Sequence, residues 1–143
     1  MEAFKEAVER LKEARTVLIC GGECSGKTRA MGELVRELSM EFKIQVFSTH
    51  REIKTDSLKP DNVEVLYKSK SSKVISLEYL DKDCDFIFVD EECDNIDEIV
   101  KNMDNHLVFV KSIKDRQDIN GIYDLILIIS KDKNGNILYT INE

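Results

Sequence analysis

A chain of 143 residues, 42% hydrophobic and 34% charged, is long enough to close one core and has the balance of an ordinary soluble globular protein. Its formal net charge of −7 argues against non-specific nucleic-acid binding, which needs a basic surface to displace counterions. No run approaches the roughly 20 apolar residues of a membrane span, and the charged start Met1-Glu2-Ala3-Phe4-Lys5-Glu6 lacks the apolar core of a signal peptide, so a cytoplasmic protein with no membrane insertion is expected.

Residues 2–14 carry Phe4, Ala7, Val8, Leu11 and Ala14 at helical spacing with charges between them, which predicts an amphipathic helix. A short buried strand, Val17-Leu18-Ile19-Cys20, follows. It leads directly into Gly21-Gly22-Glu23-Cys24-Ser25-Gly26-Lys27-Thr28, which fits the phosphate-loop pattern G-x-x-x-x-G-K-[ST] at every fixed position. A helix over about 27–40 comes next, with Met31, Leu34, Val35 and Leu38 on one face. Strand, loop and helix in that order let backbone N–H groups cradle a phosphate chain at the positive end of a helix dipole. The nucleotide-binding candidates are therefore Gly21, Gly22, Glu23, Cys24, Ser25, Gly26, Lys27, Thr28 and Arg29. Lys27 would reach the terminal phosphates and the Thr28 hydroxyl would ligate Mg²⁺. Glu23 is out of character here, because a carboxylate beside a triphosphate repels it; it must point outward or weaken binding.

Ile44-Gln45-Val46-Phe47 reads as a second strand, and Val63-Glu64-Val65-Leu66-Tyr67 alternates like a third after the turn at Pro60-Asp61-Asn62. Lysines 68, 70 and 73 lie in the most loop-like stretch and read as a solvated loop. Phe86-Ile87-Phe88-Val89 is a buried run that delivers Asp90, Glu91 and Glu92 to its carboxyl end. That suits a metal site at the open edge of a parallel sheet: Asp90 would hold Mg²⁺ through water, and Glu91 would orient or deprotonate an attacking water. A helix over about 95–103, a strand at 107–110 and an apolar run from Tyr123 to Ile129 follow. Asn134-Gly135 then separates that run from a last one at 137–141, the strongest short hairpin signal available.

The four cysteines, Cys20, Cys24, Cys84 and Cys93, form no C-x-x-C pair, so free thiols are expected rather than a disulfide or a zinc site. Cys24, beside Lys27 and a helix N-terminus, is the one expected to ionise and oxidise readily. His106 reads as a strand-start residue. No repeat or linker divides the chain, and residues 1–143 read as a single P-loop nucleotide-binding domain. The expected fold is α/β: a three-layer sandwich with a mainly parallel sheet and a C-terminal antiparallel β-hairpin.

The order of these motifs resembles the core of the type II/type IV secretion and pilus-motor ATPases. Their loop commonly reads G-G-x-G-S-G-K-T, close to residues 21–28, and an amphipathic helix precedes it. His106-Leu107-Val108-Phe109 is similar to their G-H-L-V-F strand, and the end from Tyr123 to Gly135 to their closing hairpin. The resemblance implies ATP and Mg²⁺ as cofactors, and either a homo-oligomer or a place in a larger secretion- or pilus-type assembly. It also implies weak or partner-dependent hydrolysis, because the family's acidic box, roughly I-E-D-x-x-E, here reads Phe47-Ser48-Thr49-His50-Arg51-Glu52. Only Glu52 matches an acid of that box, so Glu91 and Glu52 are the catalytic candidates. The histidine box is replaced by Lys111-Ser112-Ile113-Lys114, and the family's separate N-terminal domain with its arginines is not in this sequence. In an oligomer, Arg51 or Arg116 of a neighbouring subunit would supply a missing cation. Two other readings stay open: a small nucleoside or nucleotide kinase of thymidine-kinase type, suggested by Asp90-Glu91, and a non-catalytic nucleotide-dependent switch or scaffold.

Overall fold

The computed structural model describes residues 2–22, 25–48, 62–67, 74–90, 93–112 and 121–142. In chain order they form α1 (Glu2–Glu13), β1 (Thr16–Gly21), α2 (Lys27–Leu38), β2 (Ile44–Ser48), β3 (Val63–Tyr67), a 3₁₀ turn (Leu77–Tyr79), β4 (Phe86–Val89), α3 (Ile96–Asn102), β5 (His106–Ser112), β6 (Leu125–Lys131) and β7 (Ile137–Asn142). The seven strands make one sheet in the order β3-β2-β4-β5-β1-β6-β7. Every neighbouring pair is parallel except the closing hairpin β6–β7, as expected from the sequence.

Strands buried on both faces explain the unbroken apolar runs. On one face, Val17, Ile19, Val46, Phe86, Phe88, Val108 and Leu127 pack against Ala7 and Leu11 of α1 and Met31, Leu34 and Leu38 of α2. On the other, Ile87, Val89, Leu107 and Phe109 pack against Ile96 and Ile99 of α3 and against Ile75 and Leu80. Helix, sheet and helix form the three expected layers. A 12-residue helix such as α2 is marginal on its own. Its Met31, Leu34 and Leu38 are each 0% exposed, and burial of each contributes roughly 1.5–3 kcal/mol. Packing, not propensity, holds α2.

Helix α2 ends at Leu38, two residues before the pattern does. The Ser39 hydroxyl donates to Arg36 O at 2.7 Å, and the N–H groups of Ser39 and Phe42 turn back to Val35 O and Leu38 O. That turn brings Phe42 edge-on against Phe86, ring centres 5.2 Å apart. β6 starts at Leu125 rather than Tyr123 because Asp124 pairs through its side chain. Its Oδ2 accepts the N–H groups of Arg15 and Thr16 at 3.2 and 3.3 Å. The Arg15 guanidinium meanwhile donates to Val100 O and Met103 O at the end of α3, where helix carbonyls lack intrahelical partners. His106 opens β5 in the structural role expected of it: Nδ1–H donates to Ala14 O at 2.7 Å and the ring stacks on Phe86.

Cys20, Cys84 and Cys93 are buried and form no disulfide among the described residues. No group of three or more His, Cys, Asp or Glu poised to hold a metal occurs among the described residues. No helix among them is long and apolar enough to cross a membrane.

Candidate functional site

The parallel strands place their carboxyl ends along one edge of the sheet, and those candidate residues that are described lie there. β1 ends at Gly21, and α2 begins at Lys27 after Gly26, whose φ of 89° is left-handed. Few residues other than glycine take that conformation. Gly21 is required for a different reason. A Cβ there would lie 2.6 Å from Ile129 O and 2.6 Å from Ser25 Oγ, so no side chain fits between β1, β6 and the loop.

The loop holds groups whose chemistry is not used up. The Ser25 Oγ is buried and has no hydrogen-bond partner among the described residues, although its N–H reaches Gly22 O at 3.3 Å. An unmet buried hydroxyl costs roughly 1–3 kcal/mol. α2 starts without a side-chain cap and with no acid in its first turn, so its first N–H groups and its positive dipole end face the loop with no compensating acid from the helix itself. α3 differs, carrying Asp97 and Glu98 in its first turn. Lys27 Nζ lies folded across the loop and donates to Gly22 O at 2.7 Å. Thr28 is half-buried in the first turn of α2. The Arg29 guanidinium turns away, to Glu33 Oε1 at 3.6 Å and toward Gly135 O at 3.5 Å, which leaves only its backbone N–H facing the loop. Glu23 and Cys24 lie outside the described residues.

On the other side of β5, Asp90 stands at the end of β4, 1% exposed. Its N–H donates to Phe47 O at 2.8 Å, and Ser48 Oγ donates to its Oδ2 at 3.4 Å. A buried carboxylate is costly unless donors or a cation compensate it. Ser48 is fully buried at the end of β2, so the residue read from the sequence only as a lost acid sits against Asp90. One strand separates the ends of β4 and β1, a spacing of roughly 10 Å. Glu91 and Glu52 lie outside the described residues, as do His50, Arg51, Arg116 and Lys68, Lys70 and Lys73.

Lys111 lies opposite Cys20 on the strand between β1 and β4. It lines a cavity of about 160 Å³ with Leu18, Asp94, Asp97 and Tyr123. Burial, with Asp97 adding to it, pushes the Tyr123 hydroxyl up to about 12, so Tyr123 stays neutral there.

Sequence reasoning missed the neighbours that the closing hairpin brings to the loop. A Cβ on Gly26 would meet Lys131 Cε at 3.1 Å and Ile137 Cγ1 at 3.4 Å. Local spacing carries no trace of this contact, since about a hundred residues separate the two segments; only the pairing of β6 with β1 creates it.

Compared with solved structures, the ATPase DotB of Legionella pneumophila aligns over 95% of this chain at 12% identity and a TM-score of 0.65. The fold is that of the secretion ATPases. A second match is the VirB11 ATPase of the Brucella suis type IV secretion system, in complex with sulphate. It aligns over 99% of the chain at 13% identity and a TM-score of 0.59. The chain spans about half the length of these structures, 47% and 53% respectively. No protein-family model matches the chain, and no curated protein matches it in sequence. The secretion-ATPase fold agrees with the P-loop α/β sandwich expected from the motifs.

Proposed function

We propose that the chain is an ATP-binding P-loop domain with weak or assembly-dependent hydrolysis. The observation that carries this reading is the start of α2, uncapped and with no acid in its first turn, behind a loop whose Ser25 hydroxyl is buried and has no partner among the described residues. That combination favours a bound oxyanion. The sulphate in the Brucella structure is an oxyanion of the same shape as phosphate.

ATP binding would exchange the bond from Lys27 to Gly22 O for charge-assisted bonds to the terminal phosphates, which are stronger. The N–H groups of Gly26, Lys27, Thr28 and Arg29 and the Ser25 hydroxyl would hold the oxygens of the chain. The residues fit a magnesium ion: the Thr28 hydroxyl would ligate it and the Asp90 carboxylate would hold it through water, with Ser48 fixing the carboxylate. Magnesium, when bound, neutralises charge on the phosphates. Glu91, next in sequence to Asp90, would orient the attacking water, and Glu52 is the second acid for that role.

Phosphoryl transfer depends on positioning and charge stabilisation. Serine and threonine at 48 and 49 supply no acid. Turnover therefore suffers more than binding, and a neighbouring copy or a secretion-type assembly would complete the site, with Arg51 or Arg116 as the donated cation. A cytoplasmic location accompanies this reading.

The test is an equilibrium titration with MgATP, with phosphate release followed on the same samples over a range of protein concentrations. Saturable binding with slow release that rises as copies assemble supports the proposal. Fast release at the lowest concentration contradicts the assembly requirement. No binding contradicts the reading as a whole.

A further inference from the structure

The β6–β7 hairpin runs beside the loop and the first two turns of α2. Ile129 O closes on Gly21, Lys131 Cε and Ile137 close on Gly26, and the Tyr139 hydroxyl donates to Glu33 at 2.9 Å. The hairpin turn is itself held from within. Asp132 Oδ1 accepts the N–H groups of Asn134 and Asn136 at 2.8 and 2.9 Å, and Oδ2 accepts the Asn136 amide at 3.2 Å. These bonds hold the Asp132 carboxyl below the usual carboxylate range. The acid adjacent to Lys131 in sequence is thus occupied by the turn, and Lys131 makes no ion pair among the described residues. An ammonium one bond beyond Cε stands at the rim of the loop with no counter-charge among the described residues.

We propose that Lys131 is a second phosphate-binding lysine, contacting the phosphate nearest the ribose of a bound nucleotide. This rests on the reading of the loop as a nucleotide site and assigns that site's far end. The side is set by strand order. β4, with Asp90, and β5 lie on one flank of β1, and β6 lies on the other. A phosphate chain whose terminal group faces Lys27 and Asp90 directs its ribose end over β6, where Lys131 stands. Lys27 and Lys131 then hold opposite ends of one chain. Because Lys131 pairs with Ile137 of β7, and β7 is tied to α2 by the Tyr139–Glu33 bond, the Lys131 backbone is fixed, and the ligand orders only the side chain. That lowers the entropic cost of the contact.

The geometry separates nucleotides from simpler anions. A nucleoside di- or triphosphate reaches Lys131; pyrophosphate, seated over Lys27, does not. The experiment is calorimetric titration of the whole chain with MgADP, MgATP and magnesium pyrophosphate, on wild type, Lys131→Met, Lys131→Arg and Lys133→Met. Lys133 is exposed on the same turn and carries the same charge, so it reports any effect of bulk charge alone. For Lys131→Met, MgADP and MgATP are expected to bind about tenfold more weakly, the worth of one charge-assisted hydrogen bond, with pyrophosphate within about twofold of wild type. Lys131→Arg is expected to restore most of the loss, and Lys133→Met to change little. Nucleotide affinity unchanged by Lys131→Met, or matched losses for Lys133→Met or for pyrophosphate, would overturn the assignment while leaving the loop reading intact. Wild type that binds no nucleotide overturns both.

Discussion

The Tyr139 hydroxyl donates to Glu33 Oε2 at 2.9 Å, a bond between the last strand and the helix that leaves the phosphate loop. The same ring meets Phe4 of α1 edge-on, with centres 5.6 Å apart, so one side chain joins both helices of this layer to the hairpin. Burial first, and Glu33 second, push the Tyr139 hydroxyl well above the ordinary tyrosine range. The bond is therefore intact throughout the neutral range.

Tyr139→Phe keeps the ring and its packing and deletes this donor, so it should destabilise the chain by about 1 kcal/mol. Glu33→Gln, which still offers an acceptor, should cost less. Urea unfolding monitored by circular dichroism gives both values. Equal losses for the two variants would mean that the Glu33 charge matters more than the hydrogen bond.

Two glycines of the site region separate backbone strain from space. Gly26 has φ 89° and neighbours at 3.1 and 3.4 Å from a built Cβ, whereas Gly32, inside α2, has open space around it. Gly26→Ala should cost about 1–2 kcal/mol, the penalty of the left-handed conformation, and should weaken nucleotide binding as well. Gly32→Ala should stabilise by roughly 0.5–1 kcal/mol. A neutral Gly26→Ala would contradict the loop geometry.

A pH effect follows from Cys84, whose thiol is buried and donates to Asp81 O and Phe86 O at 3.2 and 3.3 Å. Burial, then the Asp81 charge, push it from its ordinary 9.0 up to about 11. The folded state keeps this proton where the unfolded chain releases it. The contribution is complete below pH 9 and is lost as pH rises toward 11, on the order of 2 kcal/mol. Cys84→Ser keeps the donor and removes the titration, so its stability should fall less steeply than wild type between pH 8.5 and about 10.5. Parallel profiles for the two proteins would sink this account.

Much of this was legible in the sequence because the signals were local. Residues 86–89 and 107–110 are buried on both faces and read as continuous apolar runs; residues 63–67 form an edge strand with one exposed side and read as alternation. Asn134-Gly135 marked the hairpin, although the connection is not a two-residue turn. Asp132 N–H bonds Asn136 O, and Gly135, at φ 81°, takes the left-handed position of a longer loop. What sequence could not carry depends on elements meeting in space: Ser48 against Asp90, Lys131 against Gly26, and Arg15 on the carbonyls of α3. The 3₁₀ turn at Leu77–Tyr79 was also not foreseen. Its position is set by the Gln45 amide, which donates to Tyr79 O at 2.8 Å from a strand more than thirty residues earlier.

The central claim is that the loop between β1 and α2 holds a nucleotide through Lys27, and the most direct measurement is calorimetric titration of MgATP into wild type and Lys27→Ala. Among the described residues Lys27 Nζ makes a single hydrogen bond, to Gly22 O across the loop, so its removal should leave the thermal unfolding midpoint almost unchanged. The account predicts saturable one-site binding to wild type and a loss of affinity of at least about tenfold in Lys27→Ala. Equal affinity in the two proteins, or no binding to either, would contradict it.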